Sequence, residues 1–76
     1  MFVFNGKNVA TVGDLLDAAV KAYQDGEAGR FLNEYRAVNE HADANLGYVF
    51  GYLSEPLRSE VYNAYGVTHP ILGAFG

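Results

Sequence analysis

Few residues in this sequence could carry catalytic chemistry or bind a metal. One segment combines acids with a histidine: Glu34, Glu40, His41 and Asp43. On a helix, Glu34 and His41 would share roughly one face, but a metal or acid/base site needs further ligands converging from elsewhere. The chain has no Cys, and Ser54 and Ser59 belong to no motif that would activate a hydroxyl. We therefore expect a solvated acidic face, no metal, no cofactor and no enzymatic activity.

A repeated spacing of glycine and tyrosine is more typical of contact with another macromolecule. Gly47 and Gly51 are four positions apart, as are Tyr48 and Tyr52. On a helix, the glycines would form a ridge of bare backbone beside two stacked phenols. A glycine costs about 1 kcal/mol relative to alanine inside a helix, and close approach of another helix is the usual compensation. That helix belongs either to the same chain or to a second copy or foreign partner; the tyrosines favour an interface.

Residues 69–75 form an apolar stretch, although chain ends are usually polar. Its candidate binding residues are His69, Pro70, Ile71, Leu72 and Phe75. We expect this tail to dock, either on its own domain or as a linear peptide in the groove of a partner. His69 has no second ligand in view and is interpreted as an ordinary histidine.

The composition indicates one small folded domain. Its 76 residues leave no room for a second core, and half of them are apolar, including six Tyr and five Phe. The absence of Cys favours a reducing cytoplasm. The first residues lack the features of a signal peptide, and the apolar run of residues 44–53 is too short to cross a bilayer. We therefore expect a cytoplasmic protein without membrane contact.

The charge argues against direct binding of nucleic acid. Nine Asp and Glu outnumber five Lys and Arg, and the formal net charge is -4. The basic residues are scattered along the chain: Lys7, Lys21, Arg30, Arg36 and Arg58. Binding to a phosphate backbone needs several of them on one face.

Two local signals predict the first elements that would position these residues. Asn5-Gly6, the strongest two-residue hairpin signal, lies between apolar or β-compatible segments and predicts a short β-hairpin in residues 1–10. Thr11, with Asp14 three positions later, resembles a capping box and begins a helix. The helix carries one apolar stripe: Val12, Leu15, Leu16, Ala19, Val20 and Tyr23.

A second apolar stripe predicts a second helix. Its members are Ala28, Phe31, Leu32, Tyr35, Val38 and Ala42. Residues 45–53 keep the helical phase, so one long helix could run on to Leu53. The aromatic and β-branched residues there also suit a strand, and Gly47 could end the helix; we favour a helix.

A last short helix is expected before the tail. Ser54 is a good N-cap, and Pro56 is tolerated in a first helical turn. Gly66 followed by Val67 is typical of a C-terminal glycine cap and its hydrophobic contact.

These elements predict a mostly α fold: a compact three- to four-helix domain with a short N-terminal β-hairpin. Residues 1–76 form a single domain, with the hairpin in 1–10, helices in 11–66 and the apolar tail in 67–76. The expected core comprises Phe4, Leu15, Leu16, Val20, Phe31, Leu32, Tyr35, Val38, Phe50 and Val61.

Short motifs in the C-terminal part carry a resemblance to a viral family. They are Asn45-Leu46-Gly47-Tyr48, Gly51-Tyr52, Tyr65-Gly66 and His69-Pro70-Ile71-Leu72-Gly73. This stretch of residues 45–73 resembles small uncharacterised accessory proteins of phages that infect actinobacteria. The resemblance implies a viral protein made in the host cytoplasm and carries over no assigned activity.

The leading hypothesis is a non-catalytic protein–protein interaction module, a phage accessory protein that binds and inhibits or redirects a host protein. Its partner-binding residues would be the glycine and tyrosine pairs and the tail. One alternative is a structural or self-associating protein that forms a homodimer through the glycine and tyrosine face. A further alternative, an acidic mimic of nucleic acid, fits the sign of the charge but not its density.

Overall fold

The computed structural model describes residues 2–68 of the chain. Within these residues, a β-hairpin precedes four helices. The elements are β1 (Phe2–Phe4), β2 (Lys7–Val9), α1 (Val12–Gln24), α2 (Ala28–Val38), α3 (Ala42–Phe50) and α4 (Leu57–Tyr65). The predicted mostly α fold with an N-terminal hairpin is confirmed. No helix in this part of the chain is long and apolar enough to span a bilayer.

The hairpin turns where the sequence predicts. Asn5 and Gly6 have φ values of 51° and 79°, the positive values that a type I′ turn requires. Alternation along β1 buries Phe2 and Phe4. Both rings meet the edge of Phe31 in α2, with centroid distances of 5.4 and 4.9 Å. The hairpin is therefore held by aromatic packing on α2, because two short strands alone would be marginal.

Arg30 links the hairpin to α2 through a cation–π contact and hydrogen bonds. Its guanidinium carbon lies 4.3 Å from the centre of the Phe4 ring. The same guanidinium donates hydrogen bonds to the side chains of Asn5 (2.6 Å), Glu27 (3.0 Å) and Glu34 (2.9 Å). The turn is thus tied to the first half of α2.

The predicted capping box at the start of α1 is confirmed. The Thr11 hydroxyl accepts the Asp14 N–H at 3.1 Å, and the Asp14 carboxylate accepts the N–H groups of Ala10 and Thr11, each at 3.2 Å. These backbone hydrogen bonds hold the pKa of Asp14 below its ordinary value. After α1, Gly26 adopts a left-handed conformation, with φ 74°, before α2 begins.

The buried apolar residues of β1, the four helices and the segment after α4 form one cluster. Its members are Phe2, Phe4, Leu15, Ala18, Ala19, Ala22, Phe31, Leu32, Tyr35, Ala42, Leu46, Val49, Phe50, Val61, Tyr65 and Val67. The predicted core is wrong at three places: Leu16 and Val20 are only partly buried, and Val38 is 61% exposed.

The chain does not form the single long helix that could have run on to Leu53, because it turns a corner between α2 and α3. Asn39 is extended, with φ -145° and ψ 114°, and its side chain accepts the His41 N–H at 2.8 Å. This local bond competes with helix continuation. Arg36 then reaches across the corner to the Asp43 carboxylate with two hydrogen bonds of 2.7 and 2.8 Å. Residues 45–50 are helical, as favoured.

The two ends of α4 differ in how well the sequence predicts them. Ser54 lies two positions before the N-cap residue and does not cap the helix. The Glu55 carboxylate does so instead by accepting the Ser59 N–H at 2.8 Å. At the other end, Gly66 has φ 67° and Val67 is buried, so the predicted glycine cap is confirmed.

Candidate interaction surface

The predicted glycine ridge turns inward at Gly47. Gly47 is buried, and its carbonyl oxygen accepts a 2.6 Å hydrogen bond from the Tyr62 hydroxyl of α4. Burial raises the pKa of Tyr62. Gly51 follows as the C-cap of α3 in a right-handed conformation, with φ -62° and ψ -20°. The helix that approaches Gly47 is therefore one from the same chain.

The two tyrosines of the same motif point outward. Tyr48 and Tyr52 are 54% and 68% exposed, and their rings meet edge to face with centroids 6.0 Å apart. A hydrogen bond between the two side chains raises the pKa of Tyr52. The pair thus presents a preformed aromatic surface at the end of α3.

The candidate binding residues of the tail lie outside the described residues. They are His69, Pro70, Ile71, Leu72 and Phe75. The described chain ends at Thr68, which lines a shallow depression together with Asp43 and Ala44 of α3.

An open groove gathers most of the exposed apolar side chains. The large apolar residues exposed in the described chain are Val3, Val12, Val38, Tyr48 and Tyr52. Three of them, Val12, Val38 and Tyr48, line one groove of about 450 Å³. It lies between β2, the start of α1, the end of α2 and the middle of α3. We call this feature the apolar groove.

Val12 and Val38 are exposed because of where they lie on their helices. Val12 is the first residue of α1 and Val38 is the last of α2, and each is 61% exposed. Both continue the apolar stripes that predict burial, yet α3, which borders the same groove, leaves them exposed. The apolar groove is thus the uncovered end of two core stripes.

The polar groups of the groove are held by hydrogen bonds among themselves. The hydroxyl of Tyr35 accepts the side-chain N–H groups of Asn39 at 3.4 Å and Asn45 at 3.1 Å. The other amide atom of Asn39, Oδ1, accepts the His41 N–H. These bonds fix two amides beside the apolar side chains.

The apolar groove is uncharged over the part of its lining that the structure describes. Its described lining contains no Asp, Glu, Lys, Arg or His. Four of the five basic residues form ion pairs elsewhere on the chain: Lys21 with Asp25, Arg30 with Glu27 and Glu34, Arg36 with Asp43, and Arg58 with Glu55. These ion pairs therefore lie outside the described lining of the groove.

The acids and the histidine considered for catalysis each contact a charged or titratable partner. Glu34 bonds Arg30, Asp43 bonds Arg36, and Glu40 lies 3.4 Å from the His41 imidazole. Among residues 2–68, no three His, Asp or Glu side chains converge as a metal site would require.

Sequence reasoning missed the groove residues Val12, Val38, Asn39 and Asn45 as site residues. A usable signal was present, because an asparagine after the last apolar position is a common end of a helix. Had α2 been ended at Asn39, Val38 would have been placed at the edge of the packed region. No comparable signal identifies Asn45.

Comparison of the chain with protein-family models, curated proteins and solved structures finds no match.

Proposed function

We propose that this chain is a non-catalytic protein-binding module that uses the apolar groove and the tyrosine pair beside it. The observation that carries the proposal is the gathering of Val12, Val38 and Tyr48 on one groove, each more than half exposed. Exposed apolar side chains that gather in one concave feature, instead of lying scattered over the surface, are typical of binding sites.

The groove also has the form that such sites take. Its volume of about 450 Å³ lies within the roughly 300–1,000 Å³ typical of sites that enclose a ligand or a few side chains. Tyr52 extends the apolar surface beyond Tyr48, and tyrosine combines a large contact area with little loss of side-chain entropy. Burial of these side chains by a partner would stabilise a complex by about 25 cal/mol per Å² of apolar area.

The partner that we propose is a protein of the host cell. Support comes from the resemblance of residues 45–73 to accessory proteins of phages that infect actinobacteria, since such a protein would act in the host cytoplasm by inhibiting or redirecting a host protein. The exposed tyrosines of the apolar surface lie within that stretch.

A homodimer through the same face is the second candidate function. The exposed Tyr48 and Tyr52 favour it, because an aromatic pair can stack on its own copy across a two-fold axis. Burial of Gly47 means that such a dimer would use the tyrosines without a close approach of backbone at that glycine.

Capture from an actinobacterial host lysate tests the proposal. The bait proteins are the wild type, Val38→Asp, the double variant Tyr48→Ala/Tyr52→Ala, and the control Val3→Asp. Val3 is 49% exposed on β1 and does not line the groove. Its substitution therefore adds the same negative charge to the chain without changing the groove lining. We expect at least one protein that the wild type and Val3→Asp recover equally and the groove variants recover about tenfold less, a loss of about 1.4 kcal/mol.

Two outcomes would contradict the proposal. One is a set of captured proteins that does not differ between the groove variants and the wild type. The other is concentration-dependent dimerisation in sedimentation that Val38→Asp abolishes, with no host protein dependent on the groove; this outcome would support the second candidate.

A further inference from the structure

We infer that the segment that occupies the apolar groove is an extended, apolar peptide with basic residues at its flanks. This inference rests on the proposed function and names the chemistry of its partner. Three features of the groove carry it, all taken from residues 2–68: a lining without charged residues, a donor and an acceptor that no other group in this range uses, and carboxylates at its edges.

The uncharged lining selects an apolar occupant. A charged side chain placed among Val12, Val38 and Tyr48 would lose hydration without meeting an opposite charge. Apolar side chains lose nothing there and remove the exposed valines from water. The occupant therefore places aliphatic or aromatic residues in the groove.

The Tyr35 and Asn45 side chains favour an extended backbone. The Tyr35 oxygen accepts two N–H groups, so its own O–H proton is directed elsewhere, and no group among residues 2–68 accepts it. The Oδ1 atom of Asn45 likewise accepts no hydrogen bond within this part of the chain. One donor and one acceptor thus lie next to each other in the groove.

A peptide group offers the matching acceptor and donor, its C=O and its N–H. An α-helix uses these groups internally, whereas a strand presents them sideways to its surroundings. A partner helix would leave the Tyr35 proton and Asn45 Oδ1 without partners when it excludes water from the groove, at a cost of about 1–3 kcal/mol for each. An extended segment satisfies both.

Two carboxylates near the groove favour basic residues at both ends of the occupant's apolar stretch. Asp14 hydrogen-bonds the backbone of Ala10 and Thr11, both in the groove lining, and Glu40 follows Asn39 of the lining with an 86% exposed side chain. Among the described residues, neither carboxylate forms an ion pair with a lysine or arginine, and Lys7 acts on Asp14 only through a coulombic attraction that contributes to its lowered pKa. Lysine or arginine just outside the apolar stretch of the occupant would be attracted at both edges, within the ~10 Å over which charges act at moderate salt.

Titration with defined peptide mixtures tests the inference. The probe is a mixture of short peptides with a random apolar centre of valine, isoleucine, leucine, phenylalanine and serine between pairs of lysines. The matched mixture carries glutamates in place of the lysines. Nuclear magnetic resonance of the full chain reports the Asn39 and Asn45 side-chain amides and the Val12 and Val38 methyl groups.

We expect the lysine-flanked mixture to shift these four sets of resonances and the glutamate-flanked mixture to bind about tenfold more weakly. Val38→Asp is expected to weaken binding about tenfold, whereas Val3→Asp leaves it unchanged. This comparison is decisive because Val38→Asp adds negative charge, so that purely electrostatic attraction of lysines would increase. N-methylation of the peptide backbone is expected to abolish the shifts of the Asn45 amide.

Four other outcomes would overturn the inference, and the last of them separates its failure from a failure of the proposed function. Equal binding of the two charge types contradicts the basic flanks. Stronger binding of a helix-forming mixture of alanine, leucine and lysine contradicts the extended backbone. Shifts of the same resonances on simple dilution identify a second copy as the occupant. If no mixture binds while a lysate protein still depends on Val38, the inference is wrong and the proposed function stands.

Discussion

At the scale of single residues, Tyr65 is a polar group placed deep in the core. It is 3% exposed, and its hydroxyl donates a 2.5 Å hydrogen bond to the carbonyl oxygen of Ala19 in α1. Its ring lies 5.1 Å from that of Phe50 and 6.1 Å from that of Phe31, measured between centroids. Burial raises the pKa of Tyr65, because the phenolate would have to form away from water.

The first prediction concerns Tyr65→Phe and its dependence on pH. At neutral pH we expect the free energy of unfolding to fall by about 1 kcal/mol through loss of the hydrogen bond. Above the ordinary tyrosine pKa of 10.0, the unfolded chain releases a proton that folded Tyr65 retains. The wild type therefore loses stability as the pH rises past that value, and the difference between the two proteins narrows.

Urea unfolding at neutral and alkaline pH measures this difference. Tyr23→Phe is the matched control, since Tyr23 is only partly buried and its hydroxyl makes no hydrogen bond among residues 2–68. If the difference in free energy of unfolding between wild type and Tyr65→Phe stays constant with pH, Tyr65 has the same pKa in the folded and unfolded states, which contradicts the prediction.

At the scale of elements, the start of α1 depends on the reciprocal bonds of Thr11 and Asp14. This capping box satisfies two N–H groups that a helix and the preceding strand leave open. It also sets the direction in which α1 leaves β2, and therefore the position of Val12 at the apolar groove.

We predict that Thr11→Ala lowers the free energy of unfolding by about 1 kcal/mol. Thr11→Ser keeps the hydroxyl, so its free energy of unfolding should fall by less than half of that amount. Chemical denaturation with circular dichroism measures both. The two variants behaving alike would mean that the hydroxyl does not stabilise the helix. A parallel series at falling pH should show a loss of stability in the wild type as Asp14 protonates, because its pKa is lowered by the same bonds.

The element boundaries also show where sequence patterns stop being sufficient. The second stripe continues from Val38 to residues 42–50 in helical phase, yet Asn39 interrupts it by bonding the His41 N–H. The Asn39–His41 bond joins near neighbours, so the sequence could have suggested it. Whether the corner is more stable than a continued helix also depends on the Arg36–Asp43 ion pair across the corner. That bridge exists only once the corner has formed.

At the scale of the whole molecule, the fold does not require all of its apolar residues. Val61 is completely buried, whereas Val12 and Val38 are each 61% exposed. Under the proposed function, stability and binding would be carried by different valines of the same chain.

We predict that Val12→Ser and Val38→Ser each change the free energy of unfolding by no more than about 0.5 kcal/mol. Val61→Ala should lower the free energy of unfolding by about 2 kcal/mol, because it removes buried methyl groups and leaves a cavity. Thermal and urea unfolding of the three variants measure the contrast. A large loss at Val12 or Val38 would indicate that the chain itself covers the apolar groove and would argue against a foreign occupant.

The candidate surface was predictable in part. The sequence pointed to Tyr48 and Tyr52, which are exposed, and to Gly47, which is buried against Tyr62. Residues four apart on a helix can be recognised from spacing alone, but the spacing does not say which of two adjacent ridges faces the core. That choice depends on where α4 packs.

The sequence by itself determined the elements that rest on contacts between near neighbours. Asn5-Gly6 turns the hairpin, Thr11 with Asp14 begins α1, and Gly66 ends α4, because the bonds or dihedral angles in question involve residues at most four positions apart. Tertiary structure decided which parts of the apolar stripes are covered. Burial of a side chain depends on elements distant in sequence, so only the packed fold buries Phe50 and leaves Val12 and Val38 on an open groove.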